Sequence, residues 1–261
     1  MNREDAVIIW VVGDNTNVGK TTISAALIRA LNAEGRATIG FKPYAGARLI
    51  DVLDLLADDA AVDGFLVGRD ARKLAKESLL IPDQWLEVVN PSWRVSHPSR
   101  DVAVLLRKGS VAINSRSLFH TDNANSLWSR ADFKQLNQLM QLPVEEFKVI
   151  PNKSADHLDY SGQNVQLTSF KLLLTLGPEI VVCEGAGRLL PVWEAAPPAR
   201  HLCLISAGYL YLFPNLRLRV SEAQSTFGPY TTGAIVRQLN GLAHKPCLSM
   251  KYISKFNGTM T

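Results

Sequence analysis

The residues best suited to chemistry lie in VVGDNTNVGKTT, residues 11–22. A short apolar run ends at Gly13, and Gly19, Lys20 and Thr21 follow within one turn of a predicted helix. Binding a polyphosphate needs backbone N–H groups that wrap an anion and a helix N-terminus aimed at it. Gly13 lets the chain leave the strand, and Gly19 permits close backbone approach to phosphate. Lys20 supplies a mobile positive charge for the outer phosphates, and the Thr21 hydroxyl can face Mg²⁺. The usual G-x-x-x-x-G-K-[ST] loop has its first glycine where this chain has Asp14; here the glycine comes one residue earlier.

Three other groups carry chemistry. EIVVCEGAG places Glu184 at the end of a buried strand, followed by Gly185, Ala186 and Gly187. Ligands of α/β sheets gather at that end of a strand, and Mg²⁺ takes one or two carboxylates with phosphate oxygens and water. FKPYAG places Lys42 at the end of a second strand. A cation there would stabilise charge spreading over a transferring phosphoryl group; alone, it would equally be a solvated lysine. LIDVLDLL carries Asp51 and Asp54 on one face of a predicted helix, where acids also serve the helix dipole.

The elements that must position these groups follow from hydrophobic periodicity. Residues 6–12 form a continuous apolar run, as in a strand buried on both faces. Ile23, Ala26, Leu27, Ala30 and Leu31 recur at helical spacing over 21–33, and Gly35 closes that helix. Residues 37–42 read as the second strand, 49–61 and 70–80 as helices, 179–185 as a strand, and 201–213 as holding one more. The pattern predicts an α/β fold: a doubly wound, mostly parallel sheet flanked by helices, in a single domain over residues 1–261. The polar, turn-rich interval 101–178 reads as an insertion or lid on that domain.

Composition narrows the function classes. Hydrophobic residues at 47% and charged residues at 20% suit a globular chain. The net charge of +4 comes without a long Lys/Arg run beside aromatic residues, so no nucleic-acid partner is expected. No apolar stretch reaches the ~18–20 residues of a membrane-spanning helix, and the N-terminal residues lack the pattern of a signal peptide. Cys183, Cys203 and Cys247 are odd in number and widely separated, which argues against a disulfide framework and for a reducing, cytoplasmic setting.

The spacing G-x-x-T-x-V-G-K-T-T resembles the loop of the dethiobiotin synthetases through Gly13, Thr16, Val18, Gly19, Lys20 and Thr21. Lys42, Pro43 and Gly46 resemble that family's lysine segment, one residue shorter before the glycine, and E-G-A-G resembles its acidic segment. The likeness covers residues 6–65 and 179–193. It implies a P-loop NTPase fold, ATP and Mg²⁺, and a homodimer. It also implies that CO₂ or bicarbonate adds to a diamine, and that the carbamate is phosphorylated and closes to a ureido ring, taking 7,8-diaminopelargonate to dethiobiotin.

Carried over residue by residue, the resemblance assigns nucleotide binding to Gly13, Asn15, Thr16, Asn17, Val18, Gly19, Lys20, Thr21 and Thr22. Catalysis falls to Lys20, Lys42 and Thr16, the metal to Thr21, Asp51 and Glu184, and substrate contacts to Lys42, Gly46, Gly185, Ala186 and Gly187. Asn15, Asn17 and Arg188 depart from the family pattern. Asn15 also lacks the signature lysine of the partition ATPases. SHPSRD inverts a family S-P-H segment at His97, and PNKSAD misplaces Asp156 for guanine reading. FKPYAGARLID is similar as well to the cobyrinic-acid amide synthases, which phosphorylate a carboxylate before amination. Two alternatives therefore stand beside the ring-closing reaction: carboxylate activation for amide formation, and a nucleotide-binding regulatory protein without catalysis.

Overall fold

The computed structural model describes residues 6–48, 51, 67–96, 103–114, 117–122, 147–151, 165–187, 190–191, 193, 196–206, 208–218 and 248–249. The apolar opening run forms β1 (Val7–Gly13), and the loop after it leads into α1 (Lys20–Ala33). Then come β2 (Thr38–Phe41), β3 (Ala45–Arg48), α2 (Arg69–Glu77), α3 (Leu86–Val89) and β4 (Ser92–Ser96). The chain continues through β5 (Ala103–Lys108), β6 (Ser117–Asp122), β7 (Phe147–Pro151) and α4 (Val165–Leu174). It closes with β8 (Ile180–Glu184), β9 (Ala199–Ser206), β10 (Tyr209–Leu218) and β11 (Leu248–Ser249).

The strands make two sheets. Six pair in the order β11-β10-β9-β1-β8-β2, and five in the order β3-β4-β5-β6-β7. In the first sheet β9, β1, β8 and β2 run parallel, while β10 and β11 add an antiparallel margin. The second sheet is mixed: β3–β4 and β6–β7 are parallel, β4–β5 and β5–β6 antiparallel. The expected α/β class is present, but its strands are divided between one mainly parallel sheet and a second mixed one.

Alternation across β1 divides the core of the first sheet. Ile8, Trp10 and Val12 face one layer with Ile39, Phe41, Val181 and Cys183. Phe170 and Leu173 of α4 cover that layer, and Phe41, Phe170 and Trp193 form a triangle with ring centroids 5.1–5.4 Å apart. Ile9, Val11, Val182 and Ile205 face the opposite layer, against Ile23 and Ile28 of α1 and Ala71 and Leu74 of α2. Helices therefore cover both faces, as strands buried on both sides require.

Gly40 sets how closely those helices approach. A Cβ built there would lie 2.9 Å from Ile28 Cδ1 and 2.9 Å from the Leu74 Cβ. The turn between α1 and β2 is fixed by two residues. Asn32 accepts from the Thr38 amide at 2.8 Å and donates to the Thr38 and Glu77 carbonyls. Glu179 accepts from Arg36 Nε at 2.7 Å and from the Ala37 amide at 3.3 Å.

One expectation changes at this level, and two others are filled in only as far as the described residues reach. The stretch 201–213 holds two strands, because Gly208 at φ 78 allows a tight reversal between β9 and β10. The expected insertion interval supplies β5, β6 and β7 to the second sheet and α4 to the first. The helix expected over 49–61 lies outside the described residues except at Asp51, and the chain before it forms β3.

Two stability predictions follow from these contacts. Gly40→Ala should lower unfolding free energy by about 1–3 kcal/mol, because the added methyl overpacks a backbone-anchored helix–sheet contact; chemical denaturation measures it. Arg36 holds the Glu179 carboxyl below its ordinary value of 4.5, with help from the Ala37 amide. That stabilisation is present above pH 4.5 and is lost as pH falls through the lower folded-state value. The denaturation midpoint of Glu179→Ala should therefore trail wild type at pH 7 and converge on it in acid.

Candidate functional site

The loop after β1 is folded against its own strand. A Cβ on Gly13 would lie 2.5 Å from Val18 Cγ2 and 3.2 Å from the Lys20 side chain, so Val18 and Gly13 are a matched pair. Asn17 takes φ 56 and Gly19 φ 93, left-handed conformations that asparagine and glycine adopt most readily. The Asp14 carboxylate accepts from Ser206 Oγ at 2.8 Å, and its amide donates to the Ile205 carbonyl at 3.1 Å. Asn15 Oδ1 accepts from the Thr16 amide at 2.9 Å, and the Asn15 carbonyl accepts from Lys20 Nζ at 2.6 Å.

The loop opens α1 without a side-chain cap, and no acidic residue occupies the helix's first turn. The leading N–H groups thus keep a positive end with no acid of the helix's own first turn beside it. Burial lowers the pKa of Lys20, and Lys42 lowers it further, against the opposing pull of Glu184, Asp70 and Asp14. Two neighbouring ammonium groups at the head of a helix are an arrangement that an anion would relieve.

Sheet register brings the remaining charges together. Val11 of β1 pairs with Glu184, and Phe41 of β2 pairs with Cys183, so Lys42 emerges beside Glu184. Lys42 Nζ lies 2.6 Å from Glu184 Oε1 and 2.5 Å from Asp70 Oδ2. Its main chain is anchored as well: the Lys42 amide donates to the Val89 carbonyl, and Asn90 Nδ2 donates to the Lys42 carbonyl at 2.8 Å. Burial works to lower the Lys42 pKa, but the two carboxylates outweigh it and raise the value. Asp70 moves the opposite way: burial pushes its pKa up, and Lys42, by its charge and its hydrogen bond, brings it below the ordinary value.

The oxygen atoms around Lys42 could also hold a hard divalent ion. Thr21 Oγ1 donates to Glu184 Oε1 at 2.8 Å. Glu184 is fully buried, and its Oε2 has no hydrogen-bond partner among the described residues. Asp70, half exposed, adds a second carboxylate at the open side of the cluster. A hydroxyl, an orphaned carboxylate oxygen and a second carboxylate suit Mg²⁺, which draws its other ligands from phosphate and water. No group of three or more His, Cys, Asp or Glu residues suited to a metal forms among the described residues, so a soft transition-metal centre has no donor set there.

A cavity of about 660 Å³ opens between the loop and the second sheet. Thr16, Asn17, Ala186 and Gly187 line one side, and Gly46, Arg48, Asp51 and Arg94 lie among the residues of the other. Gly187 takes φ 57 and faces Thr16, whose Cγ2 lies 3.6 Å from where a Cβ would be. The Gly185 amide is already used, donating to the Val11 carbonyl at 2.9 Å. Thr22 accepts a long hydrogen bond from Lys73 at 3.5 Å.

The structure thus gathers Lys20, Thr21, Lys42 and Glu184 and sets Thr16, Gly46, Ala186 and Gly187 around the adjoining cavity. It does not bring Asp51 to Thr21 and Glu184. Asp51 pairs instead with Arg48, Nε to Oδ2 at 2.8 Å and Nη2 to Oδ1 at 3.1 Å. The reason is β3, which joins the second sheet directly after Tyr44 and holds Arg48, the partner of Asp51, on that sheet. Asp70 is the second carboxylate that reaches Lys42. Its sequence signal was only an acid in the first turn of a helix, which any dipole partner would share. Asp54, His97, Asp156 and Arg188 lie outside the described residues. Cys183 and Cys203 are buried and form no disulfide, and burial pushes the Cys183 thiol far up, so Cys183 is not poised as a nucleophile.

No protein-family model matches the chain, and no curated protein matches it either.

Removing one member of the buried ion pair should be costly. Lys42→Ala strands the Glu184 carboxylate and should destabilise the fold by about 3–5 kcal/mol. The double variant Lys42→Met/Glu184→Gln should lose less than the two single variants combined, by more than about 1 kcal/mol. A denaturant double-mutant cycle measures the coupling.

Proposed function

We propose that the protein is an ATP- and Mg²⁺-dependent ligase of the P-loop NTPase fold that activates an anionic acceptor by phosphorylation, with ring closure of the dethiobiotin synthetase type as the leading reaction. One observation carries the reading: Lys20 and Lys42 converge with Thr21, Glu184 and Asp70 at the mouth of a loop whose helix N-terminus has no acidic residue of its own. A triphosphate would satisfy the loop amides, relieve the two ammonium groups of each other and leave its terminal phosphorus beside Lys42.

In this reading the amides of 15 and 17–19 and Lys20 hold the phosphates, the Asp14 and Thr16 amides being already bonded within the fold, and Lys20 leaves the Asn15 carbonyl to do so. Lys42 stabilises charge on the equatorial oxygens as the bond to the leaving oxygen lengthens. Thr21, Glu184 and Asp70 would hold Mg²⁺, with Asp70 in the role assigned by resemblance to Asp51. The ion would neutralise phosphate charge. A carbamate or carboxylate oxygen is already an anionic nucleophile, so the site needs no side chain to remove a proton from it. The cavity beside Thr16 and Gly187 leaves room for that acceptor next to the loop. Activation of a carboxylate for amide formation remains the second reading, favoured by the guanidinium groups on the cavity wall.

Incubation with ATP, Mg²⁺, bicarbonate and 7,8-diaminopelargonate, followed by mass analysis, tests the leading reaction. The expected products are dethiobiotin and ADP, with turnover falling at least about 100-fold in Lys20→Ala and in Asp70→Asn. ADP release without dethiobiotin would discard the diamine and keep phosphoryl transfer. No nucleotide turnover with any anionic acceptor, or turnover unchanged by Lys20→Ala, would overturn the catalytic reading.

A further inference from the structure

The second sheet presents two chemically different faces near the loop. In the parallel β3–β4 pair, Gly46 aligns with Arg94 and Arg48 with Ser96, so these four share one face. Ala45 and Ala47 align with Trp93 and Val95 on the other, where Trp93 and Val95 are buried. Arg48, Arg94 and Ser96 line the cavity of about 660 Å³, bordered also by Ala45 and Ala47 of β3, whose opposite wall is Thr16 and Gly187. That volume falls within the range of small-molecule sites, about 300–1,000 Å³.

Arg48 already grips a carboxylate. Its Nε and Nη2 meet both oxygens of Asp51, at 2.8 and 3.1 Å, the forked geometry that arginine uses for a carboxylate. Both side chains are exposed, at 62% for Arg48 and 49% for Asp51. An exposed pair of this kind holds by about 0.2–1 kcal/mol, so an incoming carboxylate can replace Asp51 at little loss. Gly46, paired with Arg94 and two residues before Arg48, adds no side chain to that face.

We infer that this cavity is the acceptor subsite, that it takes a small molecule bearing a terminal carboxylate read by Arg48 and Arg94, and that Asp51 is the internal carboxylate it displaces. The ligand's other end then lies beside Thr16 and Gly187, next to the loop. Its designation as acceptor rests on the proposed nucleotide site; its preference for carboxylate rests on the second sheet alone.

Titration calorimetry with glutarate on the nucleotide-free protein tests the inference, with 1,5-diaminopentane as the cationic control. Glutarate should bind wild type and bind Arg48→Ala and Arg94→Ala about tenfold or more weakly, the loss of one charge-assisted fork. Asp51→Asn should bind it about threefold tighter, since the competing carboxylate is gone. Diaminopentane should give no saturable heat. Arg94→Lys keeps the charge without the fork and should fall with Arg94→Ala; Arg48 and Asp51 are exposed, so their variants retain the fold. Glutarate binding that is absent, or unchanged in Arg48→Ala, would overturn the inference, as would weaker binding in Asp51→Asn. A fluorescent ATP analogue, titrated into the same variants and into Lys20→Ala, reports the nucleotide site separately. Analogue binding unaffected by Lys20→Ala would sink the nucleotide reading and leave the glutarate result to judge the cavity.

Discussion

Glu184 is a carboxylate with no solvent exposure at the end of a central strand, and Lys42 is what allows it to stay there. A lone charge in that position would be expelled or neutralised by protonation. The ion pair fixes the neighbouring parts: β2 must lie beside β8 in a register that brings Lys42 level with Glu184, and the first turn of α2 must deliver Asp70 to the same ammonium. Thr21 ties the start of α1 to the same carboxylate oxygen. One buried pair thus couples two strands and two helices at the edge where the loop emerges. An ordinary packing contact would couple them less strictly, because hydrophobic contacts tolerate a shift of an ångström and a buried charge does not.

The loop has a complementary imbalance. Its backbone is held by Gly13 against Val18 and by left-handed residues at Asn17 and Gly19, and its lysine rests on a carbonyl of the same loop. No acid of α1 faces the helix N-terminus, while burial and the neighbouring Lys42 lower the pKa of Lys20. Two ammonium groups and the oxygen donors therefore meet at the Glu184 cluster. A phosphate chain with a divalent ion would meet both needs at once.

The second sheet changes what surrounds that site. A loop in front of β2 would leave the cavity open to solvent, but β3 and β4 give it a wall with fixed side-chain directions. Strand alternation sends Trp93 and Val95 into a core and Arg94 and Ser96 toward the cavity. Behind that wall the fully buried Arg107 is held by the Asn90 and Gly109 carbonyls and lies 3.9 Å from Glu87. Because Asn90 also holds the Lys42 carbonyl, the same residue braces the cavity wall and the end of β2.

The sequence by itself determined the parts whose signal is local. The apolar run of β1, the helical spacing of α1, the strand before Glu184, and the glycines and lysine of the loop could all be read from neighbouring residues. Lys42 and Glu184 were legible as strand-end charges because each closes an apolar run. Tertiary structure alone decided what depends on distant pairing. The strands of 103–151 carry too little alternation to reveal a sheet, and a β-turn glycine at 208 hid a hairpin inside one apolar stretch. Asp51 and Asp70 look alike in sequence, each an acid near a helix start. Which of them reaches Lys42 depends on where β3 goes, and β3 follows the strand it can pair with, a choice made by hydrogen bonding across the chain and written in no short stretch of it.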